Sequence, residues 1–459
     1  MLGAHSVGAT NLRNFSSPLL CDEVLELQKY CVFGGLSMQR RNLYTLPVGA
    51  EWHLCRNPIG LIAGLLVASS LAAATISSAA AVELPKPEPA EKYLGKATTG
   101  ANYTVKPIVR SDGVMRIFDV DTPYGKFAFD GIEFAKLRLH ELDAVAALEK
   151  MSQSEAFGQA FGRAALGPVK FGADLITDPA NTVERSLSGI GNMFDRVGAG
   201  LSNTRADRDN VMESLLGVSD TQRQLAVELD VDPYTDFPPL AQRLKEMAGA
   251  MAGGGLPVRA GLALVPGGVG IAVSSVATVS SAKDVLRDKS AAQLIAEVRT
   301  ILSSLGVPEE TANKLLENRN YTPADLLIMA LALKKLNAEN TAAFVERAAD
   351  AGSRNVAFYQ RRRAQILAAR SAELGGIVSF ITVAGQPINV TRNGNIVAAF
   401  LVDDISWTDI QQRTFISATT EIQRAKPGAV PVLATTGAVT PLAAEQIGKR
   451  GWKIIRIKP

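Results

Sequence analysis

From Asn57 to Ala81 the chain carries no charged side chain. Arg56 stands just before this stretch, Gly60–Val67 and Leu71 form its aliphatic core, and it ends on Ala79-Ala80-Ala81. A basic flank, an apolar core and a small-residue end are the three parts of a secretory signal, with cleavage before Val82. This stretch therefore decides which part of the chain has to fold. Its length would also span a bilayer, so a retained anchor is the alternative. The later half, however, is Ala, Ser and Thr, too weakly apolar for a strong span. Pro85, Pro87 and Pro89, with Lys86 and Glu88 between them, follow as a linker. The expectation is an exported protein, periplasmic or associated with the cell envelope.

About sixty residues before a signal core is long. Met38-Gln39-Arg40-Arg41 offers an internal start with a basic lead, which would make residues 1–37 an over-extended gene call. Arg40-Arg41 loosely resembles a twin-arginine signal, but the apolar core lies too far downstream. Asp22, Glu23, Glu26 and Glu51 argue against an organelle transit peptide.

Cleavage would remove Cys21, Cys31 and Cys55 together with His5 and His53, leaving His140 as the sole histidine. Disulfides, thiol nucleophiles, Cys/His zinc sites and haem attachment through Cys are then excluded. A Ser-His-Asp triad would have to use His140, which reads instead as a polar position on an amphipathic helix. Five of the 48 basic and four of the 45 acidic residues precede Val82, leaving 43 and 41. That near-neutral balance gives no argument for nucleic acid as a partner. The remaining length is enough for two domains with real cores.

Past the linker at 82–101 the pattern is β. Tyr103–Arg110, Val114–Val120 and Lys126–Asp130 read as a three-stranded meander with turns at Ser111-Asp112-Gly113 and Asp121–Gly125. From Ile132 the period becomes helical, with Leu137, Leu139, Leu142, Val145, Leu148 and Met151 as the apolar stripe. Phe157-Gly158, Phe161-Gly162, Gly189-x-Gly191 and Gly198-x-Gly200 suit tight helix packing or a membrane-active surface. Residues 208–252 read as three short helices. Their loop Asp230–Asp236 looks like a calcium loop, but Thr235 stands where such a loop needs Gly and Ala241 where it needs Glu; a helix-capping turn fits better. Residues 260–282 are uncharged, yet Pro266 and four glycines weaken any spanning helix. A buried hairpin or loop-plus-helix is expected, with a membrane-touching segment as the rival. Thr322-Pro323 opens a buried helix, and the next helix carries Arg354, Arg361, Arg362, Arg363 and Arg370. Gly375-Gly376 marks a boundary, after which a hairpin precedes alternating strand and helix, the pattern of a small parallel sheet.

Ligands of open α/β sheets bind at strand carboxyl ends, and two such ends are polar. In Asp403-Asp404-Ile405-Ser406-Trp407-Thr408 the alternation of Asp404, Ser406 and Thr408 matches the carboxylate-and-hydroxyl sets that hold Mg²⁺ in adhesion-type domains. Those domains draw further ligands from more chain than remains, so helix capping by Ser406 or Thr408 is the plainer reading. Thr436, Gly437 and Thr440 form the second end. It suits an anion at a helix start or a simple βα turn, and lacks P-loop and dinucleotide fingerprints.

The expected fold class is thus α+β, mostly α: a β-meander at 102–130, a large Ala/Gly-rich helical domain at 131–375, and a C-terminal α/β unit of form ββ-βαβαβ at 376–459. The expected function is a non-enzymatic binding or structural protein of the envelope, with no cofactor or metal, meeting an envelope protein or a lipid surface. Arg361, Arg362 and Arg363 are the candidates for contact with an anionic surface. One rival is a metal-dependent hydrolase using Asp403 and Asp404. The other is a membrane-inserting protein acting through residues 248–282.

Overall fold

Period-two alternation builds the first layer. A computed structural model of the chain describes residues 82–155, 157–158, 218–262 and 280–458. The signal-like stretch 57–81, the glycine pairs beyond Gly158 up to Gly200, and residues 263–279 of the uncharged run lie outside the described residues. Six strands form an antiparallel sheet: β1 Glu88–Pro89, β2 Thr99–Gly100, β3 Tyr103–Val105, β4 Ile108–Ser111, β5 Arg116–Thr122 and β6 Gly125–Asp130. On β5 the side chains of Arg116, Phe118 and Val120 point inward and are buried, as strand geometry dictates for alternate residues. β6 pairs along one edge of β5, with Phe118 opposite Phe129, and β3 and β4 share the other edge. The stretch read as a linker is instead part of this layer. β1 pairs with β4, and a helical turn, α1 Glu91–Leu94, buries Ala90 and Leu94 under the sheet. Proline composition suggested an extended tether, but burial of these two apolar residues fixes the segment in place.

The helices follow. α2 Ile132–Ser152 is buried on nearly every side and carries the whole predicted stripe inward. α3 Asp220–Glu228, α4 Pro238–Gly254 and α5 Val258–Leu262 pack with α2 and the N-terminal sheet into one apolar cluster. A second cluster gathers α6 Ser280–Asp288, α7 Ala291–Ser304, α8 Glu309–Leu316, α9 Pro323–Leu336, α10 Thr341–Ala349 and α11 Arg354–Arg370. At its centre is α9, where Leu326, Leu327, Ile328, Met329 and Leu333 are each no more than 3% exposed. Full burial of such side chains is worth about 1.5–3 kcal/mol apiece, so enclosure rather than an amphipathic stripe holds α9. Its start is a capping box: the Thr322 hydroxyl accepts from Asp325 N, and the Asp325 carboxylate accepts from Thr322 N.

The C-terminal sheet is mixed. Its strands are β7 Ile377–Val383, β8 Gln386–Thr391, β9 Ile396–Phe400, β11 Pro431–Thr435 and β13 Lys453–Arg456, in spatial order β13-β11-β9-β8-β7. The β7–β8 and β8–β9 pairs are antiparallel; β9, β11 and β13 run parallel. A second, two-stranded parallel pair joins β10 Asp404–Ile405 to β12 Ala438–Val439. α12 Asp409–Ala425 and α13 Pro441–Lys449 cover one face, packing Phe415, Ile422 and Ile447 on Ile396, Ala398 and Leu433. The other face, with Phe380, Val397 and Ala399, lies in the same cluster as α9. Among the described residues no helix is long and apolar enough to cross a membrane.

Gly437 sits in the β11–β12 turn. A Cβ there would meet Val402 O at 2.5 Å and the Asp403 carbonyl at 2.6 Å, both backbone. Gly448, on the exposed side of α13, has nothing within 4 Å of a Cβ. Gly437→Ala should therefore cost roughly 1–3 kcal/mol, whereas Gly448→Ala should gain roughly 0.5–1 kcal/mol. Urea midpoints of the two variants should move in opposite directions from the parent.

Candidate functional site

The two polar strand ends meet each other. In the β10–β12 pair Asp404 lies opposite Ala438, and the Thr436 hydroxyl donates to Val402 O at 3.0 Å. Their polar groups are committed to the fold. One Asp403 oxygen, Oδ2, accepts from Arg116 N at 2.8 Å and from Ile132 N at 3.0 Å. It thereby caps α2, which has no side-chain cap of its own, from 271 residues away. Burial pushes the Asp403 carboxyl up to about 7, against the pull of those two amides. Asp404 pairs with the buried Arg116 guanidinium and accepts from the Ser111 hydroxyl at 3.1 Å. Burial raises its pKa, with Arg116 opposing.

The remaining members of this edge are structural as well. Ser406 is buried and its amide donates to Gly113 O at 2.9 Å, while Asp403 N and Asp404 N both donate to Val114 O. Thr408 is the N-cap of α12 and Thr440 that of α13. The N-cap hydroxyl of α13, Thr440, accepts from Ala443 N and is itself bound to a carboxylate of the chain. The Glu83 carboxylate accepts from Trp407 N at 2.6 Å and from the Thr440 hydroxyl. This edge therefore works as a clasp, holding the N-terminal strap and the β4–β5 turn on the C-terminal sheet.

The arginine run faces inward, a correction to the outward basic face that its charge suggested. Arg361 and Arg363 are 6% and 4% exposed. The Arg363 guanidinium stacks on Phe344 and donates to Pro387 O. The Arg361 guanidinium lies 4.6 Å from the Phe358 ring centre, and its Nε is 3.4 Å from Asp325 Oδ1. Burial pushes Arg361 down to about 10. Arg362 is partly buried and sits 3.6 Å from Glu133. None of the three offers a free cationic surface.

What the helices enclose instead is an ion network with a pocket above it. Arg138 of α2 donates to Glu141 at 2.7 Å and to both oxygens of Asp236 at 2.9 and 3.0 Å. Its guanidinium lies between the rings of Phe134 and Phe237, 4.9 and 5.1 Å from their centres. Arg354 at the start of α11 donates to Asp236 at 2.9 Å and pairs with Asp325 at 2.7 Å. The Thr235 hydroxyl donates to Glu141, and the Thr322 hydroxyl to Asp232. The loop that resembled a calcium site thus supplies Asp236 to two arginines, Asp232 to the Thr322 hydroxyl and the Thr235 hydroxyl to Glu141. Among the described residues no three His, Cys, Asp or Glu side chains are placed to hold a metal ion.

Over Asp236 opens a cavity of about 320 Å³. Phe127, Phe129, Phe134 and Phe237 wall it, and Asp130, Asp236, Arg354 and Asn355 supply its polar groups. Phe127 stacks on Phe129 at 5.7 Å and meets Phe237 edge-on at 5.4 Å. The Asn355 amide donates to Asp130 at 3.1 Å. No local signal in the sequence marks this site, because its residues come from β6, α2, the 230–237 loop and α11. His140, the one histidine of the expected mature chain, is elsewhere on α2 and buried, its Nε2 3.1 Å from Asp230 O. Comparison with known protein families, characterised proteins and solved structures finds no match to this chain.

The electrostatics of the network are uneven. Asp236 keeps one side open, and Arg138 and Arg354 outweigh the burial of the rest to hold its carboxyl down at about 2. Asp232 is pushed up to about 7, first by burial and then by Asp325, with Thr322, Tyr234 N and Arg354 pulling the other way. A carboxyl whose folded pKa lies above its unfolded value, about 3.9, stabilises least once pH passes the folded pKa. Asp232 therefore removes stability as pH rises from about 4 to about 7. Asp232→Asn should match the parent near pH 4 and exceed its stability by roughly 2–4 kcal/mol at pH 8. Chemical denaturation at the two pH values measures the difference.

Proposed function

We propose that this chain is an exported, envelope-associated binding protein without catalytic chemistry of its own, and that the phenylalanine-walled pocket over Asp236 is its ligand seat. The observation that carries this reading is the pocket itself. Concave, mostly apolar cavities with a few convergent polar groups are the common form of small-molecule sites, and this one stands on a buried network that fixes its floor. The Asp403–Asp404 edge supports the non-enzymatic side, since both carboxylates already cap a helix or pair with Arg116. The uncharged run to Ala81 supports export. So does Glu83, which is anchored to Trp407 and Thr440 immediately after the proposed cleavage point. The sheet with its strap, the Ala/Gly-rich helical domain and the C-terminal α/β unit are the proposed working parts, and an envelope protein or lipid surface is the proposed larger partner.

Ala128 lies on the exposed side of β6 and lines the pocket. Ala128→Trp should block it while leaving the far-ultraviolet circular dichroism unchanged. In a ligand-observed NMR screen of small fragments, the parent should give binders that this variant loses. Binders equally retained by Ala128→Trp, or an absence of binders, would count against the pocket as the seat.

A further inference from the structure

Resting on that reading, we infer that the pocket takes a small organic cation, an ammonium or guanidinium group carried on a single ring or short chain. The charges around it are the first ground. Arg138, Arg354 and Arg361 are set against five carboxyl groups: Asp130, Glu141, Asp232, Asp236 and Asp325. Three guanidiniums face five carboxyl groups, so even with Asp232 protonated the cluster is short of one positive charge.

Access is the second ground, and it selects the sign of the ligand. The Asp236 side chain is 37% exposed, against 15% for Arg354 and 6% for Arg138. Both guanidiniums are already engaged by carboxylates, and Arg138 is closed between two rings as well. An incoming anion would find them covered. An incoming cation finds the open side of Asp236 and, across the cavity, the half-buried Asp130. The sign of the surroundings agrees: burial raises the Asp130 pKa, and Asp112 and Asp119 raise it further, with Arg110 opposing. A bound cation would relieve that excess.

The walls are the third ground. Aromatic faces attract cations, by about 0.5–1 kcal/mol when exposed and about 2 or more when desolvated. Arg138 shows the preference within this site, since its own guanidinium already lies over Phe134 and Phe237. The cavity, about 320 Å³, is at the small end of ligand sites. That limits the occupant to a compact molecule rather than a chain segment.

The test is calorimetric titration of the full chain with phenethylammonium, 2-phenylethanol and phenylacetate, which share a ring and differ in charge. Phenethylammonium should bind about tenfold or more tightly than the alcohol, with phenylacetate weakest. Asp130→Asn should weaken the ammonium about tenfold and leave the alcohol unchanged. Asp236→Asn should act the same way if it folds; Asp130, bonded to Asn355 alone among these polar groups, is the safer variant. If all three probes bind equally and Ala128→Trp abolishes them, the cation inference falls while the pocket stands. If none binds, both fall. A short lysine peptide that outcompetes phenethylammonium through Asp130 would assign the cation to a polypeptide and overturn the small-molecule form.

Discussion

The structure depends on the carboxylate of Asp236, part of which stays open to the pocket, and on the two more deeply buried guanidiniums that share it. Arg138 reaches it from α2, which belongs to the sheet layer, and Arg354 reaches it from α11, which belongs to the helical core. Arg354 then passes the connection on to Asp325 at the start of α9, and Asp325 is itself half of a capping box. Four segments distant in sequence are held by these groups, of which Asp325, Arg138 and Arg354 are largely shut off from water while Asp236 keeps one side open. A buried charge without its partner is expensive, so these pairs act less as a source of stability than as a constraint on which arrangement is allowed. Arg138 needs α2 and the 230–237 loop in register, and Arg354 needs that loop, α9 and α11.

The clasp at the start of α2 applies a similar constraint. Asp403 caps α2 across the chain, Arg116 closes on Asp404, and Glu83 joins Trp407 N to the Thr440 hydroxyl that caps α13. With both sides of α2 fixed in this way, the rings of Phe127, Phe129, Phe134 and Phe237 have a rigid frame, and the pocket between them is pre-formed rather than created by a ligand. Polar groups that a motif search singles out thus serve as fasteners. The groups of the proposed ligand seat stand where no motif points.

The mixed α+β class was legible because it rests on local periodicity. The alternation around Phe118 and Val120 marked a strand, the stripe from Leu137 to Met151 marked α2, and Thr322-Pro323 marked the start of α9. The antiparallel N-terminal sheet and the mixed C-terminal one follow from such signals. Burial of charge was not legible. A run of arginines reads as a solvated face unless one knows that Asp325 and the rings of Phe344 and Phe358 will close over it. Ala90 and Leu94 are too few to outweigh three prolines in a composition argument, yet their burial turns a tether into part of the sheet. The pocket was invisible for the same reason: its residues range from Phe127 to Asn355 and converge only through tertiary packing.

The most direct test of this account is native-state hydrogen exchange on the parent and on Arg354→Met, read separately for the amides of α2 and α9. If the network joins the sheet layer to the helical core, both helices should open together in the parent, and both should lose about 3 kcal/mol of protection in the variant. Loss of protection confined to α9, with α2 unchanged, would contradict it.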